Sequence, residues 1–458
     1  MKRKTRKNKR QVTRKKRSRG GTIRGSVKAA SDTKEKGVVR REAAIKAAIK
    51  AARETAIKAA RATIRFEDDK TLTVLSPFSG AGIVFSSSAS GKAYKIVIVS
   101  PNNFEKLDAL NIEWEGKLVN INKVTEPIKS VQDEYNGALW IYHKTLRTGY
   151  PACFEVYDYF DRDNVKGKEL LKTLLQNTID STAKVMLQYI LEQLTKKNYP
   201  FGLHTSFELR IIGMEKAPED YVSLRKYRER NMPEIQDQMF FLAALIVNIY
   251  MKTNFYSLDN SPDNFMGKQN EWKSFDFGLM FNGTATTFGN MFPPNSSHLA
   301  KLYHMQRESF EKSGFFNDHS VLKDGQITLF YRDLNYINTN IGNLCSSDVL
   351  EDEKVTILDS FFQFVSLIDF CNMMLVNKGH KCPRINYILQ YIYGKIKNGT
   401  ADGPRKEYIP DSWITKISER KAGGAPIFLN NIMYDEDKER VKGNLLQIIR
   451  KVCAMSQS

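Results

Sequence analysis

Asp259 and Asn264 stand close together in "SLDNSPDNF", and Asp276 follows 17 positions after Asp259 in "SFDFG". Two carboxylates and one carboxamide offer hard oxygen donors, the type that a hard cation takes. The plainer alternative for the same residues is an acidic turn beside a strand. Upstream, Lys95 and Glu134 have the charges of an ion pair, although a strand lysine commonly snorkels to the surface and a helix glutamate is commonly solvated.

Elements must bring these residues together. After Glu67-Asp68-Asp69, alternating β-formers in "TLTVLSPF", "GIVF" and "AYKIVIV" predict a small antiparallel sheet. "SVQDEYNGALWIYHKTL" has helical periodicity, with Val131, Tyr135, Leu139 and Tyr142 on one face, and "PACFEVYDYF" predicts a further strand. Helical patterns over 161–205 intervene before "FELRIIGMEKAP" resumes as a strand. Beyond "PEDYVSL" the chain reads as mainly helical, with an apolar run from Met239 to Met251. Strands first and helices later is the order of an α+β fold. The expected parts are a leader (1–66), a sheet-rich part (67–216) with a helical insert near 161–205, and a helical part (217–458).

The D-x-x-x-x-N of Asp259 and Asn264, followed by Asp276-Phe277-Gly278, resembles the catalytic loop and DFG motif of the eukaryotic protein-kinase superfamily. The resemblance implies a two-lobed fold, with a small antiparallel sheet and one key helix in the first lobe and mainly helices in the second. It implies ATP and magnesium as cofactors and a protein substrate phosphorylated on Ser or Thr. Asp259 would accept the substrate hydroxyl proton, while Asn264 and Asp276 would hold magnesium against the phosphates. Gly82-Ile83-Val84-Phe85 matches the end of G-x-G-x-x-G-x-V, and an alternative register uses Gly80 and Gly82 as the first two glycines. Ala93-Tyr94-Lys95 matches A-x-K, so Lys95 would pair with the α- and β-phosphates and Glu134 would orient it; Asp133 points elsewhere and is one methylene shorter. "IIGMEKAPEDYVSL" falls at the interlobe hinge, which places Met214, Glu215 and Ala217 beside adenine.

The sequence departs from the pattern in places. Ser257-Leu258-Asp259 replaces H-R-D, which removes the Arg that grips an activation-loop phosphate, so switching by that phosphate is not expected. Ser261 stands where serine/threonine kinases commonly carry a Lys, which costs transition-state charge stabilisation unless another cation substitutes. No A-P-E follows Gly278; "TFGNMFPPNSSHL" is the nearest stand-in. Asp359 is either the buried Asp of a central helix or a helix-start acid. By motif the resemblance covers Leu72 to Gly278; 279–458 follow only by position and helical content. Insert, divergent second half and basic leader together resemble the kinases encoded by large DNA viruses, an analogy at the level of fold that would add the virion as a setting. A pseudokinase scaffold is the alternative from the same motifs.

Charge is distributed very unevenly over the 458 residues. Of 70 Lys/Arg and 51 Asp/Glu, residues 1–66 hold 24 and four, leaving 46 basic and 47 acidic residues elsewhere. Residues 1–32 have almost no large apolar side chains and are expected to be disordered. "REAAIKAAIKAARETAIKAARATIR" predicts an Ala-rich cationic helix. Such a leader suits nucleic acid or an anionic surface, docking on the folded part, or a solvated spacer, and "KRKTRKNKR" and "TRKKRSR" also suit nuclear import. Five scattered cysteines without C-x-x-C pairing fit a reducing, intracellular compartment, cytoplasm or nucleus. No apolar run reaches the length of a membrane span, and no h-region marks a secretory signal.

Overall fold

The computed structural model describes residues 65–77, 82–101, 105–147, 149–196, 206–230, 235–286, 291, 324–376 and 438–457. The leader, Gly80 and most of the A-P-E stand-in lie outside them. The chain divides between Ile64 and Arg65 into two units, and all the described residues belong to the second. Its fold is α+β, with antiparallel sheets and eight helices among the described residues.

The main sheet joins β1 (Leu72–Ser76), β2 (Gly82–Ser87), β3 (Lys92–Ser100), β7 (Val156–Arg162) and β8 (Glu208–Glu215) in the order β1-β2-β3-β8-β7, antiparallel throughout. The two-residue β6 (Glu126–Pro127) runs parallel to the end of β3. Side chains alternate across a strand, so Val97 and Val99 of β3 enter one core while Tyr94, Ile96 and Ile98 enter another. Both faces are therefore covered, which is why β3 reads as an almost unbroken apolar run.

On one face lie α2 (Asn164–Asn177) and α3 (Ser181–Thr195), the helical insert expected near 161–205. Each begins on an aspartate cap: Asp163 accepts from Lys166 N at 2.9 Å and Asp180 from Ala183 N at 2.7 Å. Their apolar stripes, including Leu171, Leu174, Met186 and Ile190, bury against Ile96, Ile98, Leu209 and Ile211. The insert thus supplies half of the sheet's covering.

On the other face α1 (Ile128–Leu146) packs Val131 and Ile141 into a core shared with Ile212 and with α5 (Ile235–Thr253), which follows the short α4 (Leu224–Arg230). The helix α5 is apolar on every side and buried, so the run Met239–Met251 is core. The region past 217 is less uniformly helical than expected, because it also contains the short strands β9 (Val222–Ser223), β10 (Phe255–Ser257), β11 (Phe265–Lys268), β12 (Glu271–Ser274) and β13 (Met280–Asn282). Helices α6 (Asp324–Asn340), α7 (Glu351–Val376) and α8 (Lys438–Gln457) follow, with α8 packed on α5 and α7. The periodicity also gave no sign of the hairpin β4 (Leu110–Trp114) and β5 (Lys117–Ile121), turned by Glu115 and Gly116 at φ 49° and 74°.

Asp359 sits inside α7, 4% exposed, where Gln363 Nε2 donates to it at 2.6 Å; it is not a helix-start acid, and burial pushes its carboxyl up to about 7. The scattered cysteines, which fitted a reducing compartment, include one bonded pair: Cys345 and Cys453 form a disulfide, with Cα atoms 5.2 Å apart. Their 108-residue separation gives no local motif. Cys153 is a buried free thiol. Among the described residues no helix is long and apolar enough to cross a membrane.

Candidate active site

Lys95 is in the middle of β3, and the alternation that sends its neighbours Tyr94 and Ile96 to the insert sends it towards α1. There Glu134, on the buried face with Val131 and Ala138, receives its ammonium: Nζ donates to both carboxylate oxygens at 2.7 Å. Both residues are 6% exposed, so neither is the surface charge that its type alone would suggest. Asp133 is exposed. Gly82 opens β2 opposite Val97, and a Cβ there would lie 3.1 Å from Lys95 Cγ and 3.1 Å from the Ile96 carbonyl oxygen. Glycine is what lets β2 lie this closely over the lysine stem. Val84 pairs directly with Lys95.

A second group forms where α5 ends. β10 pairs with β13, and Leu258 N donates to Leu279 O at 2.9 Å, so the residue before Asp259 is tied to the residue after Gly278. The hairpin β11–β12 returns the chain from Asn264 to Phe275, whose N–H donates to the Asn264 carbonyl at 3.0 Å. Asn264 Nδ2 donates to the Asp259 carbonyl at 2.8 Å, which fixes the loop and leaves the amide oxygen as the group suited to a cation. Asp259, Asn264 and the turn carrying Asp276 are thereby stitched together by backbone. Asp276 has φ 63°, a left-handed conformation uncommon for a residue other than glycine and found preferentially at functional sites. Phe277 is 3% exposed and packs against α1: a Cβ on Gly137 would lie 3.5 Å from Phe277 Cβ. One helix therefore faces Lys95 with Glu134 and, one turn later, faces the Asp276 turn with Gly137.

Electrostatics joins the two groups. Lys95 is held protonated above the usual lysine range: burial opposes its charge, but Glu134, then Asp276 and Glu126, outweigh it. Glu134 is pushed up to about 7 by burial, against the pull of Lys95, with Asp276 and Glu126 adding repulsion. At neutral pH the ammonium is the firm charge and the carboxylate is the member that titrates. Glu126 is raised by burial, against Lys95 and with Asp276.

Of the remaining expected residues, Met214 and Glu215 end β8, with Met214 opposite Ala93, and Ala217 follows the strand. The Glu215 N–H donates to Glu155 O at 2.7 Å and its carboxylate accepts from Lys273 at 3.1 Å. Gly80 lies outside the described residues. Two groups near Lys95 escaped the sequence reading: the buried Lys123, 3% exposed, and the half-buried Glu126, which accepts from Ser130 Oγ at 3.3 Å. Both sit in the polar stretch "NKVTEP", where nothing in composition separates a buried charge from a solvated one. Among the described residues there is no cluster of three or more His, Cys, Asp or Glu able to hold a metal. Asn264 and Asp276 offer oxygen donors of the type that a hard cation takes.

No family model matches the sequence, and no curated protein matches it.

Proposed function

We propose that this chain is an ATP-dependent protein kinase with the two-lobed architecture of that superfamily, transferring the γ-phosphoryl group to Ser or Thr hydroxyls of a protein substrate. The observation that carries the reading is the buried Lys95–Glu134 pair within electrostatic reach of Asp276, because its members come from a strand, a helix and a turn far apart in sequence. The sheet order β1-β2-β3-β8-β7 with α1 beneath it, and a loop and turn stitched by β10–β13, supports the same reading.

In this reading Lys95 binds the α- and β-phosphates and Glu134 orients it. The backbone of Glu215 and Ala217 receives adenine beneath Gly82 and Val84, with Met214 beside them. Asp259 accepts the hydroxyl proton, and Asn264 and Asp276 hold magnesium, which when bound neutralises charge on the phosphates. Fixing both reactants supplies most of what phosphoryl transfer needs from a protein.

Labelled γ-phosphate ATP with magnesium and candidate proteins tests this. The wild-type chain should transfer label, and Asp276→Asn should reduce transfer by about a thousandfold or more with an unchanged melting curve, as expected when an electrostatic element is removed from a phosphoryl-transfer site. Label transfer surviving in that variant overturns the assignment. Ser261, in place of a lysine, favours a second reading, a nucleotide-binding scaffold. Magnesium-dependent ATP binding with no transfer above the Asp276→Asn level would select it.

A further inference from the structure

The short helix α4 stands beside the loop that carries Asp259 and Asn264. Two anchors fix it: Leu224 is fully buried, and the Tyr227 ring meets Trp272 of β12 edge-on with centroids 5.2 Å apart. The strand before it, β9, pairs with β11, so Ser223 lies opposite Met266 and Val222 opposite Gly267. Helix and loop are therefore carried by one small sheet, and Arg225 bridges them. Its Nε donates to Asp263 Oδ1 at 2.7 Å and its Nη2 donates to Asp263 Oδ2. Asp263 lies in the turn Pro262–Asn264, next to the residue whose Nδ2 donates to the Asp259 carbonyl at 2.8 Å.

The side chains of Arg225 and Asp263 are 61% and 54% exposed, so their pairing contributes little to global stability. What it supplies is orientation. Two parallel bonds from a planar guanidinium admit one arrangement of the carboxylate, which a single ammonium contact does not. Ser261, at the cap of the turn, makes no side-chain hydrogen bond to it, and the Arg225 fork supplies from outside the tie that this cap omits. We propose that Arg225 is a positioning residue for the Asp259–Asn264 loop. It holds Asp263, and through it the backbone that aims Asp259 and Asn264, without touching a reactant. The consequence for catalysis rests on the ATP reading above; the tie itself does not.

Arg225→Gln, Asp263→Asn and the double variant, each in the full chain, separate this role from that of a plain surface ion pair. Each single change should move the melting temperature by no more than about 3 °C; a much larger fall in both would make the pair a support of the fold and overturn the assignment. Each should lower kcat for phosphoryl transfer about tenfold with KM for ATP within about twofold, since a small misplacement of the reacting groups costs rate rather than nucleotide affinity. The double variant should lose no more than either single one, because the two residues act as a unit; losses that multiply to about a hundredfold overturn the tie. Arg225→Lys keeps the charge and loses the fork, so it should resemble Arg225→Gln, and full activity there overturns the orienting role. Unchanged kcat in both single variants, or a KM that rises in step, does the same. If the wild-type chain transfers no phosphate, the ATP reading fails and the tie is read by amide exchange over residues 259–266. Faster exchange in both single variants supports it, and exchange equal to wild type overturns it.

Discussion

An ion pair taken out of water needs more than mutual attraction, since each charge gives up its hydration. At the Lys95–Glu134 pair this balance falls on the carboxylate, which burial and the Asp276 and Glu126 charges push up to about 7. On the kinase reading proposed above Glu134 must be ionised, because a neutral carboxyl no longer orients the ammonium by charge. Protonation grows as pH falls through 7, so ATP affinity and transfer should decline on the acid side, approaching tenfold per unit well below that point for a single proton. Rates from about pH 5.5 to 9 test this. Glu134→Gln should be weak throughout and lose that acid limb, and an identical limb in the variant would assign the titration to another group. Lys95 was singled out in sequence by its likeness to the A-x-K pattern, and helix periodicity then chose Glu134 over Asp133 as its partner. Lys123 was not: its burial follows from where an irregular segment returns, which no period encodes.

Elements with a strict period were readable, and those defined by turns were not. β3 declares itself through β-branched residues buried on both faces, and α5 through its length of apolar sequence. The strands β9 to β13 are two to four residues long, too short for alternation to stand out, so the region around Asp259 read as helical surroundings with an acidic loop. Their positions are set by close backbone approach instead. Gly267 of β11 shows how: a Cβ there would collide with the Glu271 carbonyl oxygen and lie 2.8 Å from Trp272 Cα. No flexible side chain can yield, because the obstacles are backbone of β12 and Trp272 is fully buried. Gly267→Ala should therefore lower stability by about 3 kcal/mol, at the upper end of overpacking costs. Because β11–β12 carries the chain from Asn264 to Asp276, magnesium-dependent nucleotide binding should weaken in the fraction that stays folded. Urea unfolding together with ATP titration measures both. A variant with wild-type midpoint and affinity would show that the hairpin does not set the site.

At the scale of the whole molecule, the site depends on how α5 is held, since that helix ends six residues before Asp259 and delivers the chain to β10. α8, the last described element, packs along α5 and α7, with Leu445, Ile448, Ile449 and Val452 buried in the shared core. Its one covalent tie is the bond from Cys453 to Cys345, which closes a loop of 108 residues. Closing a loop of that length restricts the unfolded chain, by up to about 5 kcal/mol in the chain-entropy account. The apolar contacts of α8 do not need the bond, so the helix should stay docked when it is opened while the chain becomes easier to unfold. Reductant should lower the melting temperature by roughly 5 °C or more, with little change in ATP affinity at room temperature. The Cys345→Ser/Cys453→Ser variant should already melt at the lower temperature and ignore reductant. Alkylation of the denatured wild-type chain before and after reduction should reveal two additional thiols, on the peptides carrying Cys345 and Cys453. If both cysteines alkylate without reduction, the bond is not formed, and the melting temperature should then respond to neither treatment. If reduction abolishes ATP binding while the core still melts cooperatively, the tie at α8 reaches the site through α5 and its role is larger than stability.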